Sequence, residues 1–457
     1  MFTYNECNQY FNTVRRLTRV LAEAGHDVRV IAAQTRRGLG PYEESDGARI
    51  FRLTLDPIHV KVVRFEKRLF GSVWRGSESS LNQEDVDRVP VDSPQGPAGA
   101  SLEGATANGW HPAGGFASIF YPLVLVRRLW YRMARCLIMK VPHSYLFYLD
   151  YYFRSFRQAR KEPADVYHAH DLVTLPVAWL CSRLGRGKLV YDSHELWLDR
   201  PEKKRSRFNR FLVKSIESFL IRRTDANIIA GESSGIELSK RYRISPPTVI
   251  LNAPPYQPFE RSTVFRDKLG IPAEERIILS MGRISWHRGI EEGIWSLKYL
   301  SNCQLVIFGF GPEQYISGLR KLIGEEELTG RAHFFDAVPF DEVTRCAASA
   351  DIGLVLHQNV SLNYYYVSPN KLFECMAAGL PVVGSNFPDL KRYIEGYNLG
   401  VTCDPESPKD IAEAINYILS DETRYNEMRK NALEAAKVFN WENESRKLVA
   451  LYQGLSE

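Results

Sequence analysis

Residues 368–385 read Ser-Pro-Asn-Lys-Leu-Phe-Glu-Cys-Met-Ala-Ala-Gly-Leu-Pro-Val-Val-Gly-Ser, and this stretch decides the fold. It predicts a short helix carrying Lys371 and Glu374, a Gly-Leu-Pro turn and an apolar strand. A helix directly followed by such a strand is the α-to-β half of a parallel α/β layer. If its N-terminus opens on a crevice, backbone N–H groups and the positive dipole end face a phosphate. A Glu one turn in can accept hydrogen bonds from ribose hydroxyls. An ordinary helix-turn-strand gives the same pattern, so the neighbouring sequence has to decide.

Outward from this motif the chain repeats the theme. Apolar strands are expected at 276–281, 304–308, 332–335, 352–356 and 381–383, separated by helices, with amphipathic helices at 410–419 and 422–438 and a last one from Trp441. A similar series precedes them: a helix at 12–24, then strands at 28–32, 50–53, 165–170, 188–192, 226–230 and 249–252. The run Ala253-Pro-Pro255 reads as a linker. The expected domains are therefore 1–253, 254–438 and a terminal helix over 439–457 that crosses back to the first domain. Only Met1-Phe-Thr-Tyr4 is available as a first strand. Either that strand is very short or the start lies upstream, and the second is the expectation.

Residues 76–115 are rich in Ser, Gly, Pro, Asp and Glu and predict a disordered insertion. Residues 116–161 interleave aromatic and aliphatic side chains with Arg127, Arg128, Arg132, Arg135, Lys140, Arg154, Arg157 and Arg160. That pattern fits basic amphipathic helices on an anionic membrane surface, or equally a solvated basic face on the domain.

Composition bounds the rest. A chain of 457 residues exceeds one ordinary core. A net charge of +5 is too mild for a nucleic-acid partner, and none is expected. The seven cysteines form no C-x-x-C pair, which fits neither a zinc site nor a disulfide framework and suits a reducing cytoplasm. No signal peptide or bilayer-length apolar run is apparent.

In open α/β sheets ligands bind beyond the carboxyl ends of the strands. His170-Asp171, Ser193-His194-Glu195 and Gly231-Glu232 stand at such ends in the first half. Gly282-Arg283, Gly309-Phe-Gly-Pro312, His357 and Ser385-Asn386 stand there in the second. Arg283 and Arg288 flank a short loop and suit a diphosphate clamp, and Gly309 and Gly311 let backbone approach a ligand. His168 and His170 share a strand face like a metal pair, but no third ligand is evident, so no metal is expected. His168 reads as a buried residue and His170 as the cleft residue, with Asp171 orienting it or capping the next helix. No nucleophile elbow, Walker loop or early G-x-G-x-x-G is present, which disfavours a dinucleotide enzyme.

Taken together, these residues resemble the GT-B glycosyltransferases of family 4. The resemblance rests on 12–28 (Asn-Thr-Val-Arg-Arg-Leu…Gly-His-Asp-Val), Asp165-Val-Tyr-His-Ala-His-Asp171, Tyr191-Asp-Ser-His-Glu195, Gly282-Arg283 to Arg288-Gly289, and Pro369-Asn-Lys-Leu-Phe-Glu374. It implies two Rossmann-like α/β domains facing a central cleft. It also implies transfer of a sugar, with retention, from a nucleotide-sugar donor to a glycan or lipid-linked acceptor. On that reading Glu374 holds the ribose, Arg283 and Arg288 stabilise the diphosphate, and His170 contacts the donor sugar. Lys371, Ser368 and Asn370 complete the donor site, and no cofactor or metal takes part. The expected location is the cytoplasm, peripheral on the membrane. Three departures stand out: Tyr366 where the family often has Glu, Arg288 where it has Lys, and the short start. They leave open a catalytically inactive homologue serving as a binding or scaffold subunit.

Overall fold

The computed structural model describes residues 1–3, 8–33, 41–53, 143–201, 206–258 and 260–456. The insertion at 76–115 and the 116–142 part of the aromatic segment lie outside them. The chain divides into one unit of Met1–Leu53 with Ser155–Glu457, and another of Thr54–Arg154. Of the second unit only the first turns of the helix His143–Ala159 are described. Both sheets belong to the first unit.

The amino-terminal sheet contains β1 (Phe2–Thr3), β2 (Val28–Ala33), β3 (Tyr42–Ser45), β4 (Ala48–Leu53), β5 (Val166–His170), β6 (Lys188–Ser193), β7 (Ala226–Ile229) and β8 (Thr248–Val249). Their spatial order is β3-β4-β2-β1-β5-β6-β7-β8. All pairings are parallel except β3 with β4. β1 is two residues long in this chain. Phe2 pairs with Ile31 on one side and Ala169 on the other, so two residues suffice to bridge β2 and β5.

The carboxy-terminal sheet contains β9 (Arg276–Arg283), β10 (Cys303–Phe310), β11 (Ala332–Asp336), β12 (Ile352–Val355), β13 (Val382–Ser385) and β14 (Gly400–Cys403). They lie in the order β11-β10-β9-β12-β13-β14, all parallel. Numbered within the sheet this is 3-2-1-4-5-6, the doubly wound order with a switch point between its first and fourth strands. The strands are apolar throughout because both faces are covered: Ile277, Ile278, Leu279, Leu305, Val306 and Ile307 are all buried.

The 368–385 stretch folds as its pattern predicts. The helix Asn370–Ala377 stops at Gly379, whose φ of +63° turns the chain into β13. Gly353 of β12 lets that helix lie close, since a Cβ there would sit 2.4 Å from Cys375 Sγ. The terminal helix Trp441–Ser456 packs Trp441, Leu448 and Tyr452 against Val14, Leu17 and Leu21 of the first helix, Asn8–Glu23. Each such buried side chain contributes about 1.5–3 kcal/mol. The Glu444 carboxylate also accepts the Leu251 N–H at 2.8 Å, which ties the helix to the chain between the sheets.

Candidate active site

The switch point of the second sheet lies between β9 and β12. β9 ends at Gly282-Arg283, and the chain beyond β12 continues into Leu356-His357. Arg283 is exposed at this tip. The loop after it turns through His287 (φ +64°) and Gly289 (φ +67°). Gln358 braces it, donating its N–H to the His287 carbonyl and meeting the His287 ring at 2.9 Å. Arg288 is half-buried, donates from Nε to Ser285 Oγ at 3.1 Å and lies 5.9 Å from the centre of the Tyr364 ring.

The helix Asn370–Ala377 brings Lys371 and Glu374 to the same place. Lys371 is buried and donates to the Leu356 carbonyl at 3.2 Å. Burial and then the Arg288 guanidinium lower its ammonium to about 7. Burial raises the Glu374 carboxyl to about 7, against the pull of Arg16 and Lys371. Glu374 is half-buried and accepts no side-chain hydrogen bond among the described residues, so its carboxylate is uncommitted. His357 is buried beside Lys371 and Arg288. Its ring is held well below the usual imidazole range by burial and by those two cations, and its Nδ1 has no partner among the described residues.

Gly309 pairs with Gly282, and a Cβ on Gly309 (φ +149°) would fall 1.8 Å from the Gly282 carbonyl oxygen. A Cβ on Gly311 would fall 2.1 Å from the Ile284 carbonyl oxygen. These glycines are needed so that the β9 and β10 loops can approach each other.

The first sheet has its own switch point between β1 and β5, and His170 ends β5 there. His168 and His170 are both buried. A third group does stand beside them, which corrects the expectation of none. Asp192 Oδ2, on the neighbouring strand β6, lies 3.4 Å from His168 Nε2 and 3.2 Å from His170 Nδ1. One ligand atom from each residue falls within 4.8 Å of the others, a set that could hold a metal ion. The atoms are engaged among themselves, however: His168 Nδ1 meets the Tyr452 hydroxyl at 2.8 Å, and His170 Nδ1 meets His194 Nε2 at 3.1 Å. Asp171 neither caps nor orients. It has a φ of +63°, the helix it opens has no side-chain cap, and its buried Oδ1 has no partner among the described residues.

Ser368 is committed elsewhere, donating to Asp389 Oδ2 at 2.7 Å. Asp389, fully buried, also accepts the Ser233 N–H and hydroxyl from the amino-terminal half. Asn363 bonds the Leu196 N–H and Glu195, and Ser234 donates to the Tyr366 carbonyl at 3.0 Å. Asn370 opens its helix half-buried. Arg16 was not expected from the sequence. Burial lowers its guanidinium to about 10 against the charges of Glu374 and Glu442, and it donates to the Ala253 carbonyl at 2.9 Å and lies against Phe340 and Trp441. Asp192, Tyr452 and Asp389 were not expected either. Only His194 and His357 had a visible signal, their place at strand tips.

Two parallel Rossmann-type sheets, each with polar side chains at its switch point, make the arrangement of the GT-B glycosyltransferases. The family model "Glycosyl transferases group 1" matches residues 262–435, and "Glycosyltransferase Family 4" matches 120–253. The D-inositol 3-phosphate glycosyltransferase of Corynebacterium glutamicum (strain R) is 25% identical over 325 residues, covering 65% of this chain and 74% of that protein. Sucrose-phosphate synthase from Thermosynechococcus elongatus superposes with a TM-score of 0.69 at 18% identity, covering 99% of this chain and 94% of that one. The lipopolysaccharide glycosyltransferase WaaG gives 0.59 at 15%, covering 99% and 98%. The chain belongs to the group 1, family 4 glycosyltransferases and is a glycosyltransferase enzyme.

Proposed function

We propose that the chain moves a glycosyl group from a nucleoside diphosphate sugar to a hydroxyl of a cell-surface polysaccharide, glycolipid or lipid-linked acceptor, retaining the anomeric configuration. One observation supports this reading: Arg283 at the end of β9, Arg288 in the loop after it, and Lys371 and Glu374 on the helix Asn370–Ala377 gather around the switch point of the second sheet, with Arg288 acting on Lys371 and Lys371 on Glu374. The glycosidic carbon–oxygen bond breaks as negative charge builds on the departing diphosphate. Guanidiniums already held in place stabilise that charge without reorganising. The acceptor oxygen bonds the same carbon on the same face, and its proton leaves with the phosphate. Glu374 receives the ribose diol, and His170 faces the sugar from the other sheet. An Anabaena HepE structure in complex with UDP-glucose (TM-score 0.56, 19% identity, 67% of this chain and 82% of that one) supports UDP sugars as the first donors to try.

The membrane part of the reading has its own support. Among the described residues no helix is long and apolar enough to cross a membrane. The helix Arg207–Ile221 exposes Phe208 (75%) and Phe211 (69%) beside Arg207, Arg210 and Lys214. Its one acid, Glu217, is buried against Tyr191 and Tyr242. A cationic aromatic face suits anionic headgroups.

The test is hydrolysis and transfer with a panel of UDP- and GDP-sugars. Turnover should fall about 100-fold or more in Arg288→Ala, the usual effect of losing one preorganised charge donor. If UDP or GDP binds but no donor turns over, the chain is a nucleotide-binding subunit and the proposal fails.

A further inference from the structure

We propose that His168, His170 and Asp192 form a binding site for a single transition-metal ion of the zinc class, with His194 beside its remaining position. The site goes beyond the proposed sugar transfer, and its test does not depend on that reading.

The strands build the site. On β5, residues two apart share a face, so His168 and His170 present their rings side by side, stacked with centroids 4.4 Å apart. The parallel register sets His170 opposite Asp192 on β6, and His194 follows just past the end of that strand. His168, His170 and Asp192 are all buried.

Distances separate a metal set from a hydrogen-bonded cluster. Asp192 Oδ2 lies 3.4 Å from His168 Nε2, 3.2 Å from His170 Nδ1 and 3.6 Å from His194 Nε2. As hydrogen bonds these three are at or past the ordinary limit of about 3.2 Å. As edges of a coordination tetrahedron they are the right size. Metal–nitrogen and metal–oxygen bonds of about 2.0–2.2 Å put neighbouring ligand atoms about 3.3–3.6 Å apart. One atom from each of His168, His170 and Asp192 lies within 4.8 Å of the others. Three such ligands leave a fourth position open for a water or an incoming group, and His194 flanks it.

Charge and the outer shell agree. Among the described residues no Lys or Arg pairs with Asp192, whose ionic partners are the three histidines. A buried carboxylate is paired with a cation or coordinates a metal. Imidazoles with one carboxylate suit zinc and its neighbours, whereas magnesium and calcium take all-oxygen shells. A ligating imidazole also donates its other N–H to a fixed partner. With His168 Nε2 on the ion, its Nδ1–H meets the Tyr452 hydroxyl at 2.8 Å. Each ring keeps its one proton on the nitrogen turned away from the ion, so binding takes up and releases none there. The ion joins the ends of β5 and β6, where His170 stands.

The test uses the full chain, stripped with a chelator and dialysed. Calorimetric titration with Zn²⁺ should show one ion bound per chain, and the melting temperature should rise with Zn²⁺. X-ray absorption at the zinc edge should show nitrogen and oxygen ligands at about 2.0–2.1 Å with imidazole scattering. Tyr452→Phe, which removes only the outer partner of His168, should weaken Zn²⁺ binding about 10- to 100-fold. Asp192→Asn and His168→Gln, which each remove a ligand, should weaken it at least as much. Absence of stoichiometric Zn²⁺ overturns the proposal. So does Zn²⁺ that binds Asp192→Asn and His168→Gln as tightly as wild type, because such an ion sits on other histidines. If those two variants do not fold, Tyr452→Phe and the wild-type absorption spectrum decide. Failure of sugar transfer leaves all of these readings standing.

Discussion

Glu374 offers the sharpest test, because its cost and its use have opposite signs. Its carboxyl is raised from 4.5 to about 7, chiefly by burial. A folded-state value above the unfolded one means that the folded state binds the proton more tightly. Stability is therefore complete below pH 4.5, declines as pH rises toward 7 and is lowest above it. At about 1.36 kcal/mol per pH unit the difference amounts to at most about 3 kcal/mol above pH 7. It is an upper bound because Lys371, itself lowered to about 7, shares the proton. Glu374→Gln removes the ionisation and keeps the shape. In urea titrations the variant should match wild type near pH 4.5 and exceed it at pH 8 by about 1–3 kcal/mol. Binding should move the other way. Each ribose hydroxyl donating to a carboxylate is worth about 1.5–3 kcal/mol against about 0.5–1.5 for a neutral amide, so the two together lose about 2–3 kcal/mol and UDP affinity by calorimetry should fall about 30- to 150-fold. Wild-type affinity should also rise with pH through 7 as the carboxylate forms. A variant that is less stable at pH 8, or that binds UDP as tightly as wild type, refutes the assignment.

Three further outcomes are expected from the geometry. Gly309→Ala places a methyl 1.8 Å from the Gly282 carbonyl oxygen in a left-handed conformation, so it should lose several kcal/mol, visible as a marked fall in melting temperature. Asp389→Ala strands the Ser233 N–H and the Ser233 and Ser368 hydroxyls at the join between the two sheets' surroundings. It should cost about 2–4 kcal/mol, speed proteolysis near 231–234 and raise the donor KM. Phe208→Ser with Phe211→Ser should abolish flotation with anionic vesicles and leave donor hydrolysis unchanged, whereas undiminished flotation would remove this helix from the membrane face.

What was legible in the sequence was whatever repeats locally. Runs such as Ile277-Ile278-Leu279 and Leu305-Val306-Ile307 can only be strands covered on both faces, and helices between them force a parallel sheet. The Gly379 turn and the Gly-rich strand tips were equally local. The edge hairpin β3–β4 had a signal that went unread, Asp46-Gly47, both with positive φ. β1 had almost none, because its pairing is supplied by β2 and β5. Arg16 looked like one more basic residue off the apolar face of its helix. Its burial comes from Trp441 and Phe340, more than 300 residues away along the chain. Asp389 went unread in the sequence; it is a first-turn acid of its helix, Pro388–Ile394, yet its hydrogen-bond donors lie at 233 and 368. Such roles belong to the tertiary structure and leave no periodic trace.

The buried polar atoms left without partners argue that the two switch points form one site. Nearly all buried polar groups in folded proteins are paired, and each exception calls for a reason. Among the described residues, His170 Nε2 and Asp171 Oδ1 are orphaned at the tip of β5. His357 Nδ1 is orphaned beyond the tip of β12, and Arg16 Nε on the first helix. Other unpartnered buried atoms, among them Ser155 Oγ, Trp179 Nε1, Ser239 Oγ and Glu292 Oε2, lie on helices away from these tips, so orphaned atoms are not confined to the site. His170 Nε2, Asp171 Oδ1 and His357 Nδ1 are set apart by standing where strands of each sheet end. One occupant with hydroxyls, a diphosphate and a ribose presents acceptors and donors to all of them. On the proposed sugar transfer the two sheets carry complementary halves of one site, tied together by the Asn363 bond to Glu195 and the Ser234 bond to the Tyr366 carbonyl.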